Sequence, residues 1–150
     1  MQRLISLAIL GSSLFFLAVC ATAPTPVLPA SAKWADFPVL PGVKIAVLDG
    51  NPAQAGPFVY RLSFPANAKV PPHYHPITEN ATVVSGTVNL GHGDMLDPAK
   101  TTKYPAGSFF TVPANMRHYA WTDGETVVQV HGVGPTAITF VNPADDPRKK

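Results

Sequence analysis

Residues 73–86 read His73-Tyr74-His75-Pro76-Ile77-Thr78-Glu79-Asn80-Ala81-Thr82-Val83-Val84-Ser85-Gly86. His73 and His75 stand two apart, so on an extended backbone their imidazoles project from the same face. Pro76 redirects the chain, and Glu79, Ala81 and Val83 then share one face of the next strand by the same alternation. Two neutral imidazoles and a carboxylate converging in this way suit a divalent first-row metal. A surface His-x-His pair without a ligand is the competing reading of these residues. His118 stands at the head of a strand far along the chain, with Ala120 and Thr122 on its face, and would complete the set.

Outward from this stretch the chain keeps the same character. From Trp34 onward no window holds a 3.6-residue apolar period; short β-branched and aromatic runs alternate with Pro, Gly, Asn and Asp. The pattern predicts strands over Val43–Leu48, Phe58–Phe64, Ala81–Ser85, Thr87–Leu90, Ser108–Val112, His118–Thr122, Thr126–His131 and Ala137–Val141. Turn chemistry separates them at Asp49-Gly50-Asn51-Pro52, Phe64-Pro65-Ala66-Asn67, Ser85-Gly86 and Gly132-Val133-Gly134-Pro135. Asp123-Gly124 between two strand-like runs predicts a hairpin. Gly91–Thr102 reads as a polar loop with one helical turn, and the charged tail Asp145–Lys150 as a solvated end. Many short strands and no long helix predict an all-β sandwich or small barrel over residues 34–150.

The N-terminus reads differently. Arg3 precedes an apolar run from Leu4 to Val19, and the small residues Cys20-Ala21-Thr22-Ala23 follow. This predicts a secretory signal peptide over residues 1–23, hence a secreted or periplasmic protein. The apolar run is about 16 residues, at or just under the ~17–25 needed to span a bilayer, so a retained anchor is the alternative. Leu17-Ala18-Val19-Cys20 also resembles a lipoprotein signal, which would tether the mature domain to a membrane through Cys20. Residues 24–33, with Pro24, Pro26 and Pro29, predict an extended linker.

Composition narrows the function classes. In 150 residues there are 17 Pro, 11 Gly and one Cys, with a net charge of +2. A single cysteine excludes an intrachain disulfide and a Cys-based zinc site. The near-neutral balance gives no reason to expect a nucleic-acid partner. No Ser-His-Asp triad, glycine-rich phosphate loop or paired catalytic carboxylate stands out.

The spacing extends beyond one pair of histidines. His73-x-His75-x3-Glu79-x6-Gly86 is one motif, and Gly107-x5-Pro113-x-Asn115-x2-His118 is a second, separated from Gly86 by 20 residues. Together they resemble the two signature motifs of the cupin superfamily. In the second, Asn115 replaces the usual glycine, and Thr122 stands where an asparagine often does. Asn tolerates the left-handed conformation better than most non-glycine residues, which makes the first departure mild. The resemblance implies a double-stranded β-helix, that is, a jelly-roll or cupin barrel, over about Phe37 to Val141. It also implies that His73, His75, Glu79 and His118 are the metal ligands, with one or two coordination positions left for water or substrate. A homodimer formed through the N-terminal strands, supported by Trp34–Phe37, is a further implication of the family.

Fe, Mn, Ni, Cu and Zn all accept such a ligand set, and export would make iron(II) harder to keep reduced. The leading expectation is an exported metalloenzyme of the dioxygenase type acting on a small metal-chelating organic molecule, with isomerisation or decarboxylation as other chemistries. The alternative is a non-catalytic metal-dependent binding or sensing module, its metal closed off by a further ligand, for which His131 is the candidate. A metal-free domain carrying the motif as a relic is the third reading. Among the remaining residues, the aromatics Phe58, Tyr60 and Phe64 read as core, and His92 as exposed. Arg61 projects from the opposite face of their strand, either as an anion clamp or onto solvent. Arg117 and Tyr119 should point away from His118, and Trp34 and Trp121 read as core or interface anchors.

Overall fold

The computed structural model describes residues 26–149; the expected signal peptide, Cys20 and the first linker residues lie outside them. Eleven strands follow one another: β1 (Ala35–Asp36), β2 (Lys44–Gly50), β3 (Gly56–Phe64), β4 (Lys69–Tyr74), β5 (Glu79–Ser85), β6 (Thr87–His92), β7 (Thr101–Pro105), β8 (Phe109–Val112), β9 (His118–Thr122), β10 (Thr126–Gly134) and β11 (Thr139–Phe140). Only short 3-10 turns interrupt them, one of which, Pro98–Lys100, is the helical turn expected in the 91–102 loop. Among the described residues no helix is long and apolar enough to cross a membrane.

The strands form two antiparallel sheets, ordered β1-β2-β3-β10-β5-β8 and β11-β4-β9-β6-β7. This is the expected jelly-roll barrel. β3 supplies the inner wall of the first sheet: Phe58, Tyr60, Leu62 and Phe64 are buried, and they pair in register with β10, whose Val128 and Val130 are buried beside them. Burying side chains of this size stabilises the fold by about 1.5–3 kcal/mol each. Arg61 lies on the other face and spends its guanidinium on Gln129, Nε donating to Oε1 at 3.1 Å.

Several expectations are corrected. Asp123-Gly124 does not close a hairpin, because β9 and β10 belong to different sheets and the turn crosses between them. Ser85-Gly86 crosses likewise, and the two crossings lie side by side: a Cβ on Gly86 (φ +75°) would run into the Glu125 carbonyl and Thr126. The closing glycine of the first motif is therefore required by backbone packing. β10 extends through the expected turn to Gly134, and the last strand shrinks to Thr139–Phe140.

β7 and β4 were not expected. β4 contains Pro71 and Pro72, which read as strand breakers because neither donates to a ladder. Here they sit in a bulge: Val70 pairs with Ala120 and His73 with His118, so three steps on β4 match two on β9. The extra residue resets the alternation, and Val70 and His73 both turn inward. The proline carbonyls remain in use, that of Pro71 accepting from His73 Nδ1 and that of Pro72 from the Val141 amide.

The tail is not a solvated end. Asp146 is buried, and Arg148 folds back to bind it through Nε and an Nη at 2.7 and 2.8 Å while donating to the Ile138 carbonyl. Across the barrel Tyr119 is fully buried, points away from His118 as expected and donates its hydroxyl to the Asp97 carbonyl at 3.1 Å. Tyr119→Phe should cost about 1 kcal/mol in chemical denaturation; an unchanged midpoint would mean that this bond does not hold the 91–102 loop.

Candidate metal centre

The barrel brings together residues separated by up to 45 positions. His73 lies near the end of β4, His75 just beyond it, and His118 opens β9, with His73 and His118 as direct cross-strand partners. Glu79 opens β5 in the other sheet, so residues 75–79 carry the chain from one sheet to the other at the site. The His73 ring centroid lies 4.1 Å from that of His118 and 5.0 Å from that of His75. One ring nitrogen from each of the three lies within 4.8 Å of the others.

Backbone carbonyls fix the orientation of each ring. Nδ1 of His73, His75 and His118 lies 2.7, 2.8 and 3.0 Å from the carbonyl oxygens of Pro71, Ala137 and Met116. A carbonyl only accepts, so each Nδ1 carries the proton and each Nε2 keeps its lone pair for the shared space. That is the arrangement a metal-binding imidazole needs. Burial, the first cause in each case, pushes the His73 imidazole well below its ordinary range and that of His118 down to about 4; neighbouring imidazoles push both the same way. Both are therefore neutral and able to ligate at pH 7.

Glu79 stands beside the imidazoles. Its Oε2 lies 3.5 Å from His75 Nε2, while Oε1 accepts from Thr136 Oγ1 at 2.9 Å and from the Tyr60 hydroxyl at 3.3 Å. Two donors on one oxygen leave the other facing His75. Burial and then the Glu79 charge raise the Tyr60 phenol well above 10.0, so it remains a donor. The donor set fits a divalent transition metal. Bound there, such an ion would polarise an oxygen ligand or exchange electrons with it, and Tyr60 and Thr136 would hold the carboxylate in place.

Sequence reasoning placed Tyr60 among the core aromatics and did not single out Thr136. The only local hint was a hydroxyl on an otherwise apolar face; the contacts to Glu79 span 19 and 57 residues. His131 corrects in the opposite direction. It is exposed on the outer face of β10, so it cannot close the site. His92 is exposed as expected, and Arg117 pairs with Asp94 on the surface. Trp34 is 38% exposed, and Trp121 borders the cavity.

Asn115 links the two motifs. Its φ of +62° is the left-handed conformation anticipated from the sequence, and its amide donates to the His75 carbonyl at 2.7 Å. Asn115→Val should therefore destabilise the fold by about 1–2 kcal/mol, while Asn115→Gly keeps wild-type stability to within a few tenths. Equal melting temperatures for both variants would show that the loop relaxes freely.

From the imidazoles a cavity of about 360 Å³ runs through the barrel. Its walls come from both sheets and include Phe37, Leu62, Phe64, Leu90 and Ile138.

A jelly-roll barrel with inward-facing histidines and a carboxylate at one end of its cavity defines a cupin. The chain belongs to the family of the ChrR cupin-like domain, whose sequence model matches residues 23–137. No curated protein matches the sequence. Among solved structures the chain is similar to the polyketide cyclase RemF of Streptomyces resistomycificus, at 18% identity over 85% of this chain and 92% of that one, TM-score 0.64. An RmlC-like cupin from Shewanella frigidimarina is also similar, at 18% identity over 73% and 89%, TM-score 0.58. A recombinant oxalate oxidase in complex with glycolate matches at 27% identity over 71% and 59%, TM-score 0.53.

Proposed function

We propose that this cupin is an exported metalloprotein that binds one divalent transition metal through His73, His75, Glu79 and His118. Its activity is that of a dioxygenase-type oxidoreductase on a small metal-chelating organic molecule. The observation that carries this reading is the set of three imidazoles with Nδ1 committed to backbone carbonyls at the end of an internal cavity. A structural ion needs closure, whereas a reacting one needs open space beside it. The resemblance to an oxalate oxidase supports oxidative chemistry on a chelating ligand.

One observation favours a binding or sensing module instead: among the described residues Glu79 is the only acid lining the cavity, and these offer no second carboxylate as a general base. Elemental mass spectrometry of the full chain, purified without chelator from a bacterial host, distinguishes the two. About one equivalent of Fe, Mn, Ni or Cu, with oxygen uptake on adding a chelating diketone or diol, supports the enzyme. One equivalent of zinc that resists chelators supports the module. Absence of metal after reconstitution would overturn both. Export and N-terminal pairing into a homodimer belong to the same proposal; cell fractionation and light scattering test them.

A further inference from the structure

The cavity is chemically lopsided. Its polar groups crowd at one end: His73, His75, His118, Glu79, Tyr60 and Thr136. Away from that end, Leu62, Phe64, Val70, Val88, Leu90 and Val128 line a wall with no side-chain donor or acceptor. Of three further side chains with polar atoms on the lining, Trp121 offers a single indole N–H and the other two are already engaged. The Thr122 hydroxyl donates to the Pro65 carbonyl at 2.9 Å. Among the described residues Arg148 is the one non-histidine cation on the lining, and Asp146 holds it through two bonds, with the Ile138 carbonyl taking a third contact.

These facts constrain the occupant. A small dianion would find no uncommitted cation among the described residues beyond the centre and would leave the apolar wall facing water. A sugar would bring several hydroxyls to a wall that offers them no more than the Trp121 indole N–H. A molecule with an oxygen-donor head and an uncharged hydrocarbon body satisfies both ends, because the head reaches the histidine cluster and the body covers the aliphatic wall. The volume, about 360 Å³, lies within the range of pockets that enclose whole small ligands.

We infer that the substrate or ligand of this protein is amphipathic: a chelating oxygen head on an uncharged alkyl or aryl body that fills the apolar part of the barrel. The head rests on the proposed function; the apolar body rests on the wall residues alone.

The test therefore has two arms, both read as binding by the wild-type full chain. In the first, acetohydroxamate, butanohydroxamate, hexanohydroxamate and octanohydroxamate are titrated calorimetrically into metal-loaded protein. Affinity should rise about fourfold per added methylene until the chamber is full, and oxalate should bind no better than acetohydroxamate. In the second, the uncharged fluorophore N-phenyl-1-naphthylamine is added to metal-free protein. It should bind with enhanced emission and be displaced by octanol. Ala120→Phe, which narrows the cavity from β9, should weaken it at least tenfold; the arm stands on wild-type binding if that variant fails to fold. A flat hydroxamate series on loaded protein, or no fluorophore binding, overturns the inference and leaves the metal centre standing. If no metal loads, the proposed function falls, and the fluorophore arm alone decides whether the chamber takes an apolar guest.

Discussion

His118→Ala should lower the affinity for a divalent metal by well over a hundredfold, measured by titrating Co(II) or Zn(II) into metal-free protein against a competing chelator. The expectation follows from how the three imidazoles are held. Each Nδ1 is tied to a backbone carbonyl, so the Nε2 atoms are positioned before any ion arrives. Removing one ligand takes away a bond to the ion and leaves the other two aimed at an incomplete site. Thr136→Val should be milder, about 10–100-fold, the usual effect of losing a group that orients a ligand, because Glu79 Oε1 would keep only the longer bond from Tyr60. That ranking is the informative part. Equal losses in the two variants would mean that Glu79 carries the centre; retention of metal by His118→Ala would place binding elsewhere.

Metal-free protein should lose stability in acid between pH 6.5 and 4. The folded state holds His118 near 4, chiefly through burial, against 6.5 for an ordinary imidazole. Between those values the unfolded chain binds a proton that the folded chain does not, so stability rises with pH across this window and is full above it. For His118 alone the difference amounts to about 3 kcal/mol. His73 is shifted in the same direction, so the fall continues toward lower pH. Asp146 behaves oppositely in cause: its bonds from Arg148 hold it below 3.8, and its contribution is lost only further into acid. Denaturant melts at half-unit steps of pH should show the drop, and His118→Ala should flatten it. A profile level from pH 7 to 4.5 would contradict the buried neutral imidazole. Loaded protein should release its metal over the same range, since protons compete for Nε2.

Much of the site was legible in the residues themselves. The alternation of His73 with His75, and of Glu79 with Ala81 and Val83, is a property of any extended chain, and the buried faces agree with it. Asn115 was readable because few residues tolerate a left-handed backbone, and it adopts one. Gly86 was readable as a motif position, although the reason for it, the backbone of Glu125 and Thr126 alongside, was not. The prolines of β4 misled because proline is judged by the hydrogen bond it cannot donate, whereas a bulge requires none at that point.

From sequence alone came the candidate ligands and the all-β character, because local alternation, turn residues and motif spacing are legible along the chain; the jelly-roll expectation came through the family resemblance that the two motifs carry. The tertiary structure alone decided which sheet each strand joins, that Asp123-Gly124 crosses between sheets, that His131 faces solvent, and that Tyr60 and Thr136 meet on Glu79. Those outcomes depend on which apolar faces bury one another across the barrel. That pairing is set by contacts between residues distant in the chain, and no local pattern records it.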